Sequence, residues 1–120
     1  MFVDDEELLV KLGTKMLERL GYRVAGFTNS EEALEMFKNA KDAYDLIITD
    51  KTMPKMTGLD LAAGIKKVRP DIPILLCTGF LDKDIDDKVQ KAGITEYVTK
   101  PLNRQEMAVA VRRVLDKRIT

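Results

Sequence analysis

The stretch "LIITDKTMPKMTG", residues 46–58, decides the fold of this chain. It begins with four apolar or β-prone residues in a row, the composition that a parallel strand needs when helices cover both of its faces. A lone carboxylate, Asp50, ends the run, and a loop containing a proline and a glycine follows. The stretch therefore predicts a buried parallel strand with Asp50 at its carboxyl end.

Strand-like and helix-like patterns alternate along the rest of the chain. Apolar runs or alternations typical of strands occur at residues 1–3, 22–27, 44–49, 72–78 and 95–101. Apolar residues at helical spacing follow each of them, at residues 9–20, 29–37, 57–68, 81–93 and 103–115. This alternation predicts an α/β fold, a three-layer doubly wound domain with a five-stranded parallel sheet in the flavodoxin-like order 2-1-3-4-5.

The predicted helices differ in their apolar stripes and in their starts. The stripe of the first helix consists of Leu9, Leu12, Met16, Leu17 and Leu20. Asn29 or Ser30 opens the second helix, and Asn103 with Glu106 forms a capping box at the start of the last. The helix over residues 81–93 has the thinnest stripe, so we expect it to be the least well anchored.

The length of the chain predicts one domain over residues 1–120, since a chain of this size buries roughly two-thirds of its unfolded surface. Only three residues precede Asp4, whereas strands usually contain about five or six. We therefore expect the first strand to be truncated at its N-terminus.

The composition excludes several classes of function. Lys plus Arg and Asp plus Glu each total 20, so no basic face for nucleic acid is indicated. The absence of histidine excludes histidine general bases, Cys-His and Ser-His nucleophile pairs, and metal sites with imidazole ligands. A single cysteine, Cys77, favours a reducing compartment, and no membrane span or signal peptide is evident. We expect a cytoplasmic chain without direct contact to nucleic acid or membrane.

Polar residues end four of the predicted strands, namely Asp4 with Asp5, Asp50, Thr78 and Lys100. The predicted order sets the first and third strands side by side, so the three aspartates share one pocket. Carboxylates this close must raise their pKa values or bind a cation, and Mg²⁺ suits such ligands. Adding the lysine and the hydroxyl completes a set able to hold a phosphoryl group, with an aspartate as nucleophile. Singly, each residue has an ordinary reading as a helix cap, a turn former or a solvated charge.

Four motifs carry a resemblance to a known family: "VDDEE" (3–7), "IITDKTMPKMTG" (47–58), "LLCTG" (75–79) and "YVTKP" (97–101). Together they resemble the receiver domains of bacterial two-component response regulators, over essentially all of the chain. The resemblance implies that Asp50 is the phosphoryl acceptor and that Lys100 and Thr78 contact phosphoryl oxygens. It also implies a Mg²⁺ site made of Asp5, Asp50, the Thr52 backbone carbonyl and, through water, Asp4.

The same resemblance implies a switch in which Thr78 and Tyr97 move together and change the surface of helix 4, strand 5 and helix 5. It further implies a cis peptide between Lys100 and Pro101 and an influence of Thr52 and Phe80 on the phosphoryl lifetime. A histidine kinase or phosphotransfer domain would be the donor, since the chain has no histidine. We expect a phosphoacceptor module and no enzyme in its own right, with self-dephosphorylation open, and a hybrid sensor kinase as the favoured origin.

Three other functions fit parts of the pattern. A haloacid-dehalogenase-type phosphohydrolase also uses an aspartate after a strand, but it needs a second acid where Thr52 stands. A degenerate receiver that only binds proteins is disfavoured because the acids, acceptor, hydroxyl and lysine are all present. A nucleotide-binding domain would need a glycine-rich loop after the first strand, which this sequence lacks. The oligomeric state, the partner kinase and the output stay open.

Overall fold

The computed structural model describes residues 1–79, 83–100 and 102–117. A five-stranded parallel sheet lies at its centre, in the order β2-β1-β3-β4-β5. The strands are β1 Phe2–Val3, β2 Gly26–Phe27, β3 Ile47–Asp50, β4 Ile74–Thr78 and β5 Glu96–Thr99. The fold class and the strand order predicted from the sequence are confirmed.

Helices cover both faces of this sheet. They are α1 Glu7–Arg19, α2 Ser30–Asn39, α3 Gly58–Val68, α4 Ile85–Ala92 and α5 Arg104–Lys117. One face packs against α2, α3 and α4, and the other against α1 and α5. Ile47 accordingly lies in the same apolar cluster as Phe37, whereas its neighbour Ile48 lies in the cluster of Val111. The continuous apolar run before Asp50 therefore serves two separate cores.

The strand predicted over residues 22–27 is shorter than expected, because only Gly26–Phe27 pair with β1. A parallel ladder extends only as far as its neighbour, and β1 itself contains Phe2–Val3 alone. A cleft of about 920 Å³, lined in part by residues 22–25 and 44–46, lies at the amino ends of these strands. Four of the six residues in this segment therefore have no strand beside them.

The first helix buries a different face from the predicted stripe. Its buried residues are Val10, Gly13 and Leu17, whereas Leu12 is 52% exposed. A Cβ atom at position 13 would collide with the ring of Phe2, so the glycine lets α1 approach the sheet closely. The prediction was wrong for Leu12 because close approach, and not side-chain hydrophobicity alone, selects the face. It was also wrong for Leu20, the C-cap residue, which is 36% exposed.

Two helix starts agree with their predicted caps. Asn29 Oδ1 accepts a hydrogen bond from the Glu32 amide at 2.9 Å, so Asn29 is the cap residue of α2. Asn103 and Glu106 exchange side-chain to backbone hydrogen bonds of 2.7 and 3.3 Å at the start of α5. Local side-chain chemistry located the start of α5 and narrowed the start of α2 to Asn29 or Ser30, of which the structure selects Asn29.

The loop between β3 and α3 returns tightly onto the strand that it leaves. The Gly58 amide donates to the Lys51 carbonyl at 2.9 Å. A Cβ atom at position 58 would collide with the carbonyl oxygen of Asp50. The carboxyl end of β3 therefore requires glycine at the first residue of α3.

Replacing this glycine by alanine (Gly58→Ala) is expected to lower the free energy of unfolding by about 1–3 kcal/mol, because the added methyl group forces the loop away from β3. Urea denaturation measures the change. Gly79→Ala is the matched control, since a Cβ atom there meets nothing within 4 Å. Equal midpoints for the two variants would contradict the proposed collision.

Candidate functional site

Sheet register brings the acidic residues together. Val3 of β1 pairs with Thr49 of β3, so the residues that follow, Asp4 and Asp50, leave the sheet side by side. Carboxylate oxygens of Asp4, Asp5 and Asp50 all lie within 4.8 Å of one another. The three aspartates therefore form one cluster, as the strand order predicted.

A lysine at the end of the edge strand β5 neutralises part of the negative charge of this cluster. Asp4 is 2% exposed and Asp50 is 9% exposed, so both carboxylates need partners. Lys100 Nζ lies 2.7 Å from Asp4 Oδ2 and 2.9 Å from Asp50 Oδ1. One ammonium group therefore joins β1, β3 and the end of β5.

Backbone contacts at the ends of β4 and β5 place this lysine. The Lys100 amide donates to the Thr78 carbonyl at 2.8 Å, which continues the ladder beyond the strand. Thr78 is 1% exposed at the carboxyl end of β4. The hydroxyl-bearing residue and the lysine therefore share an edge of the sheet with the aspartates.

Burial and the neighbouring charges balance differently in setting the pKa values of Asp50 and Lys100. Burial raises the pKa of Asp50, while the hydrogen bond and the charge of Lys100 oppose that rise. For Lys100, burial lowers the pKa, but its bonds to Asp4 and Asp50 outweigh burial and leave the pKa raised. Asp50 thus remains incompletely compensated although it has a cationic partner.

Cys77 lies next to this cluster but is chemically inert there. It pairs in register with Asp50 and is 5% exposed. The pKa of its thiol is raised to about 12, chiefly by burial, while the charge of Lys100 lowers it and the charges of Asp50 and Asp4 raise it. Cys77 therefore offers a protonated thiol at neutral pH and not a thiolate.

The donor set fits a hard divalent cation. Three carboxylates face one ammonium group in the described part of the chain. Asp5 is exposed, so a cation and its waters have access from solvent, and Thr52 is exposed in the loop two positions after Asp50. Mg²⁺ typically combines one or two carboxylates with carbonyl oxygen and water. The residues present match that preference.

The second part of the predicted site, Tyr97, lies half-buried on β5. Its hydroxyl donates to Asp86 Oδ1 of α4 at 2.7 Å, and this bond raises the pKa of the phenol. The sequence gives no sign of Asp86, since no spacing rule links residues on two different elements. The bond ties β5 to α4 in this conformation.

Two further predictions lie outside the described residues. They are the cis peptide at Pro101 and the influence of Phe80 on the phosphoryl lifetime.

Comparison with known proteins finds similarity over nearly the whole chain. The family model described as "Response regulator receiver domain" matches residues 1–112. The chemotaxis protein CheY of Thermotoga maritima is 30% identical over 115 residues, which cover 95% of this chain and 94% of that protein. A crystal structure of a response regulator receiver domain protein from Clostridium thermocellum has a TM-score of 0.87 at 30% identity, over 97% of this chain and 92% of that one.

Other similar proteins are longer. The probable transcriptional regulator ycf27 of Cyanidium caldarium is 37% identical over 117 residues. The aligned residues cover 96% of this chain but only 45% of that relative. Two sensor kinases are also similar to this chain, which covers 14% of the length of one and 12% of the length of the other. Domains similar to this chain therefore occur nearly alone and as parts of larger proteins.

Replacing Asp50 by asparagine (Asp50→Asn) is expected to stabilise the fold near pH 7. Burial raises the pKa of Asp50 above its ordinary value of 3.8, so ionisation at neutral pH destabilises the folded chain relative to the unfolded one. The gain should vanish as the pH falls below 3.8, where the carboxyl is protonated in both states. Urea denaturation at both pH values measures the difference.

Asp42→Asn is the control for this substitution, because it removes an exposed carboxylate from the turn after α2. Its free energy of unfolding should stay within about 0.5 kcal/mol of the parent. A destabilised Asp50→Asn protein at neutral pH would show that Lys100 dominates over burial.

Proposed function

The chain belongs to the response regulator receiver domain family, and from that premise we propose that Asp50 accepts a phosphoryl group from a phosphohistidine donor. The observation that carries the proposal is the carboxylate of Asp50, which lies 2.9 Å from Lys100 Nζ within a cluster of three aspartates. A partly compensated carboxylate next to a cation is a suitable nucleophile for phosphoryl transfer.

In the proposed step, an Asp50 carboxylate oxygen attacks the phosphorus atom and forms an O–P bond. The P–N bond to the donor imidazole breaks, and its electron pair leaves with that imidazole. Lys100 would then pair with a phosphoryl oxygen, and the Thr78 hydroxyl would donate to another. Both residues already lie at the same edge of the sheet as Asp50.

Asp5, Asp50 and the Thr52 backbone carbonyl are the proposed direct ligands of Mg²⁺, with Asp4 acting through water. When bound, the cation would neutralise charge that develops on the phosphoryl oxygens. Asp4 suits an indirect role because its two oxygens already accept bonds from Lys100 and from the Glu6 amide, at 2.7 and 3.0 Å.

Phosphorylation is proposed to switch the surface formed by α4, β5 and α5. The phosphoryl group adds about two negative charges at pH 7, and a Thr78 hydroxyl drawn towards it would leave space for Tyr97. Inward movement of Tyr97 would break its bond to Asp86 and release α4 from β5. Among its described residues, α4 buries only Ile85 and Val89, so its anchorage is small.

The proposed partner is a histidine kinase or a phosphotransfer domain, because the chain itself contains no histidine. We propose no enzymatic role beyond possible hydrolysis of its own acyl phosphate.

Cys77 is a buried free thiol, which suits the proposed cytoplasmic location. No helix in the described ranges is long and apolar enough to cross a membrane. Fusion to a sensor kinase is the proposed context.

Incubation with acetyl phosphate and Mg²⁺ should attach one phosphoryl group to the parent chain, as read by intact mass spectrometry. Asp50→Asn should carry none, because asparagine lacks the nucleophilic oxygen, while Asp42→Asn should be modified like the parent. No adduct on the parent would favour a binding module, and steady turnover of a phosphate ester would favour a phosphohydrolase. Either result would overturn the proposal.

Loss of the bond between Tyr97 and Asp86 should make the switched conformation easier to reach. Asp86→Ala is expected to speed phosphorylation by acetyl phosphate about two- to fivefold, which corresponds to a bond contributing about 0.5–1 kcal/mol. Asp87→Ala is the control, since that residue pairs with Lys91 on the same helix. A Tyr97 rotamer that does not change with beryllofluoride bound would contradict the switch.

A further inference from the structure

The loop of residues 51–57 is held by hydrogen bonds at both ends, but residues between the two ends are exposed to solvent. Its first residue continues the sheet, since the Lys51 amide donates to the Cys77 carbonyl at 2.8 Å. Its last residue, Thr57, forms a capping box with Asp60 at the start of α3. Thr52 and Lys55, which lie between these ends, are exposed.

Ser30 supplies a bond to the middle of this loop. Its hydroxyl donates to the Met56 carbonyl at 2.7 Å, across 26 positions of sequence. In the described ranges, this is the one hydrogen bond that connects residues 52–56 to an element other than α3. The bond reaches the loop from the unit of β2 and α2, which contributes none of the proposed site residues.

The helix to which Ser30 belongs does not need this hydroxyl. Asn29 already caps α2 by accepting from the Glu32 amide. Ser30 is nevertheless 4% exposed, so its polar group is buried specifically against the loop. A buried hydroxyl with no local task points to a role at the residue that it contacts.

The loop also contains the strained residue of the described chain. Lys55 has φ of 66°, in the left-handed region that is unfavourable for a residue with a side chain. Met56 follows it directly, and its amide donates to the Pro54 carbonyl at 2.7 Å. Such a turn persists only when its surroundings determine it. The bond from Ser30 to Met56 is one such restraint, and the buried side chain of Met53 is another.

We propose that Ser30 is a positioning residue for the metal site, since its hydroxyl holds residues 52–56 in the conformation that offers the Thr52 carbonyl to Mg²⁺. The inference rests on the proposed function, which names that carbonyl as a ligand. Outer-shell groups of this kind orient ligands that touch the cation directly. Ser30 itself touches neither the cation nor the phosphoryl group in this scheme.

Ser30→Ala is expected to weaken Mg²⁺ binding by the unphosphorylated chain roughly 10-fold, at the lower end of the range for outer-shell groups. Isothermal titration with MgCl₂ measures the affinity. Amide hydrogen exchange at Gly58 reports the loop without any activity assay, and exchange there should become faster. Ser30→Thr keeps the hydroxyl and should restore both readings.

Thr95→Val is the matched control. The Thr95 hydroxyl accepts from the Ile74 amide at 3.1 Å, at the opposite end of the sheet. The control therefore removes a bond between a hydroxyl and the backbone far from the loop. Its Mg²⁺ affinity should equal that of the parent even when its free energy of unfolding is lower.

The outcomes separate this inference from the proposed function. A parent chain that binds no Mg²⁺ and accepts no phosphoryl group would overturn the proposed function, and the inference with it. A functional parent whose Ser30→Ala variant binds Mg²⁺ equally well would overturn the inference alone. If Ser30→Ala does not fold, Ser30→Cys keeps a similar volume with a weak donor. Parent-like affinity in that variant, together with faster amide exchange at Gly58, would equally overturn the inference.

Discussion

The ammonium group of Lys100 between Asp4 and Asp50 is the contact on which the arrangement of the site depends. Two carboxylates this deeply buried repel each other and lose their hydration, so they can stay ionised together only beside a cation. That cation comes from the end of β5, 96 positions after Asp4 in the chain. The contact exists because β4 carries β5 in register and the Thr78 carbonyl accepts the Lys100 amide. Sheet order, register and the charge balance of the site are therefore one connected property.

This charge balance is incomplete, and the incompleteness has a functional meaning. The pKa of Asp50 stays raised by burial although Lys100 opposes the rise. A fold optimised only for stability would have a neutral or apolar residue at this position. The remaining negative charge suits a cation, and the oxygen beside Lys100 suits an incoming phosphoryl group. In the proposed function, the unfavourable burial of the ionised Asp50 carboxylate favours binding of the cation and of the phosphoryl group.

Much of this architecture could be predicted from residues that lie close together in the sequence. The unbroken run before Asp50 indicated a strand buried on both faces, and Ile47 and Ile48 indeed enter separate cores. The cap at Asn103 was located correctly and Asn29 was one of two residues predicted for the other cap, because a cap bonds within its own first turn. The prediction failed for Leu12, since a helical stripe does not reveal which residue must be small. Gly13 faces Phe2, and that steric need turned Leu12 towards solvent.

By itself the sequence determined which elements form, which residues end the strands and which chemistry those residues offer. These are local properties, since period, capping and turn formation involve neighbours along the chain. Tertiary structure alone decided that Tyr97 bonds to Asp86, that Ser30 reaches Met56 and that one lysine serves two aspartates. Such contacts depend on how elements stack across the sheet, and a hydrogen bond needs its two atoms within about 3 Å. No pattern of residue types along the chain specifies a distance that small between segments so far apart.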